Sequence, residues 1–270
     1  MKKLLTLLFV ALIGFGNSFA QTRETRSVGT FTKISFRVPG KLVLRQGSPQ
    51  KVELEGDKET LSKIETEVKG DRLSIGNEER WNWGWNNNER IMVYVTVKDI
   101  TAVSVSGSGE LITEGRVTTT ALDLNVSGSG SLQIDATVTG DMEANVSGSG
   151  RIEVKASCQN LSSDISGSGK INAAITASNQ VDVDISGSGK MEASGSAKEI
   201  KTEISGSGKV YASGLEVDKC NVRISGSGDV EINVKSELDA NISGSGTVSY
   251  KGSPSHVNGN SSGSGKVRKM

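Results

Sequence analysis

The motif Ser-Gly-Ser-Gly occurs nine times in this chain, beginning at Ser106, Ser127, Ser147, Ser166, Ser186, Ser205, Ser225, Ser243 and Ser262. Successive copies stand 21, 20, 19, 20, 19, 20, 18 and 19 residues apart. A period this constant marks a repeat architecture, in which each repeat is one structural unit stacked on the next. A flexible Gly/Ser linker has the same local composition, but it has no reason to order the residues between its copies. Here they are ordered.

Take the first Ser of each copy as origin. The residue before it is Val105, Val126, Val146, Ile165, Ile185, Ile204, Ile224 or Ile242. Five before stand Leu122, Met142, Leu161, Val181, Ile200, Cys220 and Leu238. Five after come Leu111, Leu132, Ile152, Ile171, Met191, Val210, Val230 and Val248. The positions between are polar, as at Asp123, Asn125, Asp182 and Asp184. This is period-2 alternation, the sign of a strand with one buried face. Each repeat reads as strand, Ser-Gly-Ser-Gly corner, strand, and a looser return of variable length.

One such coil cannot stand alone. Its inward side chains, about five, contribute roughly 1.5–3 kcal/mol each, while ordering about 20 residues costs roughly 1–2 kcal/mol each. Stacked coils share hydrogen bonds and cover each other's edges. The expected fold is therefore all-β: a right-handed parallel β-helix (solenoid) of about 20 residues per coil, equivalent strands about 4.8 Å apart. Glycine suits the corners because it reaches positive φ without strain. If the alternation runs through the corner, both glycines face in and both serines face out. The serines then either bond the corner backbone or present two rows of hydroxyls.

Residues 1–20 read as a secretory signal peptide: Lys2 and Lys3, an apolar run from Leu4 to Phe15, and the small-x-small site Ser18-Phe19-Ala20. No later segment reads as a transmembrane span. Basic and acidic residues balance at 31 each, so nothing argues for nucleic acid. The two cysteines of an exported chain invite a disulfide. The register argues against one: Cys220 sits in an inward column, while Cys158 lies outside it, three coils or about 14 Å away.

Residues 21–100 lack the motif and read as degenerate coils and a cap, continuous with the regular array of 101–270. Ile34, Phe36 and Val38 alternate, Pro39-Gly40 turns, and Leu42 and Leu44 follow, as a coil with its corner shortened by two residues. A second echo runs through Ile64, Thr66 and Val68, Gly70, then Leu73 and Ile75, with a short helical turn allowed at 57–62. A third strand is Ile91 to Val97. At the far end Gly259 and Ser261 replace apolar residues and Lys266, Arg268 and Lys269 follow, which reads as a polar terminal cap.

Three sets of side chains are candidate sites. Trp81, Trp83 and Trp85, with Asn86 and Asn87, would share one face if extended: a platform for sugar rings, or a plug for the end of the core. Lys170, Lys190 and Lys209 form one column four after the first Ser, either a cradle for an anionic polymer or a solvated face. Asp164, Asp184 and Glu203 form an acidic column that could hold calcium, though the glycine-aspartate pattern of calcium β-rolls is missing, so no metal or cofactor is expected.

The export signal, the Ile34–Leu44 and Leu73–Ile75 segments, the Ile91–Val97 strand and the Val-Ser-Gly-Ser-Gly iterations together resemble the putative auto-transporter adhesin, head GIN domain family of Bacteroidetes-type bacteria, over residues 28–270. The resemblance implies a β-helix and a surface or periplasmic location. It brings no catalytic motif. The chain shows no C-terminal barrel pattern or sorting domain, so "auto-transporter" is not expected to describe its own export.

Catalysis finds little support. The sole histidine, His256, lies in the weakest repeat, the serines lack a positioned base, and coils of 18–21 residues leave no room for the long loops of β-helical polysaccharide lyases. The expected function is a non-enzymatic, adhesin-like protein, placed in the periplasm, at the outer-membrane surface or outside the cell, that binds a glycan or protein at the envelope. The alternatives are a self-associating structural β-solenoid and, remotely, a carbohydrate-active enzyme.

Overall fold

The structure, a computed structural model, describes residues 22–76 and 91–270. The signal-peptide reading of 1–20 and the site residues Trp81, Trp83, Trp85, Asn86 and Asn87 lie outside the described residues. The N-terminal elements are β1 (Thr22–Arg26), β2 (Lys33–Phe36), β3 (Lys41–Gln46), β4 (Lys51–Gly56), α1 (Lys58–Lys63), β5 (Glu65–Lys69), β6 (Arg72–Gly76) and β7 (Met92–Val97). The repeat region begins with β8 (Ala102–Gly107), β9 (Glu110–Thr119), β10 (Leu122–Gly128), β11 (Ser131–Val138) and β12 (Met142–Gly148). Each later strand then runs from one corner to the next: β13 (Arg151–Gly167), β14 (Lys170–Gly187), β15 (Lys190–Gly206), β16 (Lys209–Gly226) and β17 (Asp229–Gly244). The last coil is β18 (Thr247–Lys251), β19 (His256–Gly263) and β20 (Lys266–Lys269).

Every strand pair from β8 onward is parallel, with the Ser-Gly of each corner opposite that of the next: Ser147 pairs with Ser166, Ser166 with Ser186 and Ser186 with Ser205. The fold is a β-solenoid of about 20 residues per coil. The return stretches, loose in sequence, are paired as well. Differences in repeat length are absorbed as local register shifts, at Cys158/Asn160 and at Thr176/Gln180, which a parallel stack tolerates as bulges.

The N-terminal third departs from the sequence reading in two ways. Phe36 pairs with Val105 and Leu42 with Leu111, so Arg37-Val38-Pro39-Gly40 fills a corner of full length rather than a shortened one. The second echo is not a coil: β5 and β6 form an antiparallel hairpin about Gly70. The coil is instead β6 followed by β7, since Leu73 and Ile75 pair with Ile34 and Phe36, and Val93 with Leu42. The coil made by β2 and β3 is thus inserted between β6–β7 and β8–β9. Antiparallel β4 and then β1 continue the sheet beyond β7, giving this end its mixed character. Helix α1 starts at Asp57, whose carboxylate accepts from the Thr60 N–H at 3.0 Å, and buries Leu61.

The core is one aliphatic column from Phe31 to Val248. Cys158 and Cys220 are both buried within it and both free; burial pushes their thiols up to about 11 and about 12. Cys158, left outside the inward columns by the sequence, belongs to one on the return stretch. Ser163 and Thr202 also point inward, each 1% exposed and with no partner for its hydroxyl. The last strands form a polar cover on the core: β19 stacks on β17 and β20 on β18, Leu238, Ile242 and Val248 beneath them are buried, and β19 itself is exposed throughout, Val257 included.

Candidate functional site

The two glycines of each corner have different tasks, where the sequence placed both facing inward. The second does point in: a Cβ added at Gly169 would collide with Val146 Cγ1 of the preceding coil. The first holds a positive φ, 108° at Gly148, and a Cβ there would sit 2.8 Å from the Gly128 carbonyl oxygen one coil away. Both are therefore required, one by the core and one by the close approach of corner to corner.

The corner backbone bonds to itself from coil to coil. The Ser149 N–H donates to the Gly128 carbonyl at 2.9 Å, and the Ser168 N–H to the Gly148 carbonyl at 2.9 Å. The serine hydroxyls are not needed for this, and no corner serine hydroxyl has a hydrogen-bond partner among the described residues. This overturns the reading in which they cap corner backbone groups. They form rows of solvated hydroxyls, repeated once per coil. Ser129, Ser149 and Ser168 border a hollow of about 450 Å³ together with Arg151, Lys170 and Lys190.

Lys170, Lys190 and Lys209 do share one column, in direct register. Their charges are answered within the protein. Glu192 bridges Lys170 at 3.0 Å and Lys190 at 2.7 Å. Hydrogen bonds from those two lysines hold its carboxyl below the usual carboxylate range. Lys190 also lies over the Tyr211 ring, 4.5 Å from its centre, and Lys209 pairs with Asp229 at 3.3 Å. The column is a partly neutralised stripe, three ammonium groups against the two carboxylates of Glu192 and Asp229.

Asp164, Asp184 and Glu203 are likewise in register. Partial burial, then the neighbouring charges of Asp164, Glu203 and Asp182, raise the Asp184 carboxyl above its usual value. Among the described residues no three such side chains converge to hold a metal ion. The same register column continues through Asn145 to Asn125, where Asn145 Nδ2 donates to Asn125 Oδ1 at 3.3 Å.

Gly76 and Ile91, which flank the tryptophan-bearing segment, stand beside Arg37 and Gly40 of the neighbouring coil. Sequence reasoning missed one feature: a hollow of about 570 Å³ two to four residues beyond the lysine column. Its only sequence signal is the extra length of the repeat that begins at Ser106.

A family model described as "Putative auto-transporter adhesin, head GIN domain" matches residues 30–192 and 165–254. Among solved structures, a putative adhesin from Parabacteroides distasonis is similar at 22% identity, with TM-score 0.72, 94% of this chain and 98% of that one covered. A putative adhesin from Parabacteroides merdae gives 22% identity, TM-score 0.70 and the same 94% and 98% coverage. A second Parabacteroides distasonis protein, described as a putative lipid binding protein, gives 23% identity, TM-score 0.67 and again 94% and 98%. At these identities the likeness extends to the fold. No curated protein matches the chain.

Proposed function

We propose a function from one premise: the chain belongs to the putative auto-transporter adhesin, head GIN domain family. The proposed role is that of an exported, non-enzymatic, adhesin-like protein that binds a glycan or protein at the cell envelope. The observation that carries this reading is the row of corner serines in coil-to-coil register, their hydroxyls without partners among the described residues, which suits a repetitive ligand such as an envelope polymer. The Trp81–Trp85 segment is the second contact region of this proposal, its rings stacking on sugars and Asn86 and Asn87 bonding their hydroxyls. Lys170, Lys190 and Lys209 flank the serine row and orient an acidic ligand only where it displaces Glu192 or Asp229.

Among the described residues no serine hydroxyl is bonded to a base. Cell fractionation tests the location; recovery only in the cytoplasm would end the envelope reading. Attachment of the purified protein to envelope preparations tests the binding. Trp83→Ala with Trp85→Ala is expected to weaken it, and unchanged attachment would remove the tryptophan segment from the interface. Light scattering separates binding from self-assembly, since a monomer at high concentration speaks against a structural polymer.

A further inference from the structure

The 570 Å³ hollow lies on the face that follows the corners and has the make-up of a built site. One wall is the register column Gln133, Glu153, Asn172 and Glu192. The other is the column two residues on: Asp135, Lys155, Ala174 and Ser194. The backbone of Ile134, Val154, Ala173 and Ala193, whose side chains are buried, forms the floor. From Gln133 to Glu192 the trough spans three coil steps, about 14 Å.

Both ends are marked by broken register. In β9, Ile112 pairs with Gln133 but Arg116 with Asp135, so Thr113 to Gly115 stand opposite Ile134 alone. In β16, Tyr211 pairs with Glu192 but Gly214 with Ser194. Bulges of this kind re-aim side chains and interrupt a sheet, and they gather beside functional sites. An otherwise uniform rod is thus interrupted at two places, and the trough lies between them.

The walls leave polar groups without partners. Asn172 Oδ1 is buried and accepts no hydrogen bond. The side chains of Gln133 and Lys155 have no hydrogen bond or ion pair among the described residues. The remaining charges are held: Arg116 Nε donates to Asp135 Oδ1 at 2.7 Å, and Glu192 is tied to Lys170 and Lys190. A lipid chain would strand Asn172, Gln133 and Lys155 in an apolar contact. A peptide strand finds no free edge, because β13 and β14 are paired on both sides. What fits is a ligand dense in groups that both donate and accept. We infer that this trough binds a short, hydroxyl-rich oligosaccharide lying along the rod axis, its hydroxyls donating to Asn172 and Glu153 and accepting from Gln133 and Lys155.

The inference rests on the binding role proposed above but names a site apart from the serine row and the tryptophan segment. The test is titration of the purified protein with an array of soluble neutral and acidic oligosaccharides, two to six sugars long, alongside the envelope-attachment assay. Ala174→Trp fills the trough from the exposed face. Asn172→Ala and Lys155→Ala remove polar contacts. Each is expected to weaken oligosaccharide binding about tenfold or more while circular dichroism stays unchanged. Trp83→Ala is expected to leave it within about twofold. Retention of binding by folded Ala174→Trp and Asn172→Ala overturns the inference. So does failure of every oligosaccharide to bind, even if envelope attachment persists; in that case the envelope-binding role stands and the trough falls. Loss of attachment in the tryptophan variants with oligosaccharide titration intact supports the trough as an independent site.

Discussion

From β8 to β20 the strands lie along the rod in the order in which they occur in the chain, each about one repeat from its neighbour. From β1 to β7 they do not: Ile34 pairs on one side with Leu73 and on the other with Val103. Both regions fill the same inward columns, yet one closes loops of a single coil and the other closes loops several times longer. Longer loops cost more entropy to close, although the cost grows slowly with length. Both regions bury Leu, Ile and Val, but among the described residues the buried phenylalanines, Phe31 and Phe36, lie only in the N-terminal third, while buried alanines such as Ala144, Ala173 and Ala240 lie only in the array. Regularity lets such small residues take turns with large ones, because each coil repeats the same contacts.

That contrast can be broken most directly at Phe36. Phe36→Ala is expected to destabilise the protein by about 3–5 kcal/mol in urea unfolding, more than any single Val→Ala in the array. An unchanged midpoint would mean that the β2–β3 coil is not part of the common core. Next in size is the corner. Gly169→Val should cost about 1–3 kcal/mol by overpacking against Val146, while Ser168→Val, one residue away and exposed, should stay within about 0.5 kcal/mol. Equal effects would show that the corner does not divide into an inner and an outer residue. In the opposite direction, Thr202→Val should stabilise the array by about 1 kcal/mol, since it removes a buried hydroxyl that has no partner.

The smallest effect distinguishes the regions by pH. Asp184 has its folded-state pKa raised above the ordinary 3.8, so its ionised form costs stability at neutral pH, and the cost fades as pH falls through the raised pKa toward 3.8, below which it is gone. Asp184→Asn should therefore stabilise the array by about 0.5 kcal/mol or less at pH 7, with variant and parent converging in acid. In the N-terminal third, Glu53 is lowered from 4.5, first by its hydrogen bond with Lys51. Its contribution is present above that value and lost as pH falls through the folded-state pKa. Hydrogen exchange followed by region from pH 7 downward should show protection falling at β4 and β7 before it falls at β14. The reverse order would reject this account.

The array was legible because alternation and period are local properties, and a register shift of one residue would turn every apolar side chain outward. The lysine column was legible for the same reason; its partial neutralisation was less so, because it depends on which way Glu192 and Asp229 lean. The corner was half legible. Sequence alone does not separate a glycine needed for inward packing from one needed for the approach of two backbones. The trough was not legible, since it arises where repeats of unequal length are forced into register and the excess is expelled as bulges.

What the sequence determined unaided was the repeating coil: its length, its inward columns and the stacking of like on like, because in a parallel stack each residue's best neighbour is its own equivalent one period away. What only the tertiary structure decided was the order of the first coils and the hairpin at Gly70. Residues 33–46 fit the inward columns equally well at the end of the rod or one place in. Only the cover supplied by the β6–β7 coil, whose strands come later in the chain and carry β5 and β4 at their outer edges, selects the inner place.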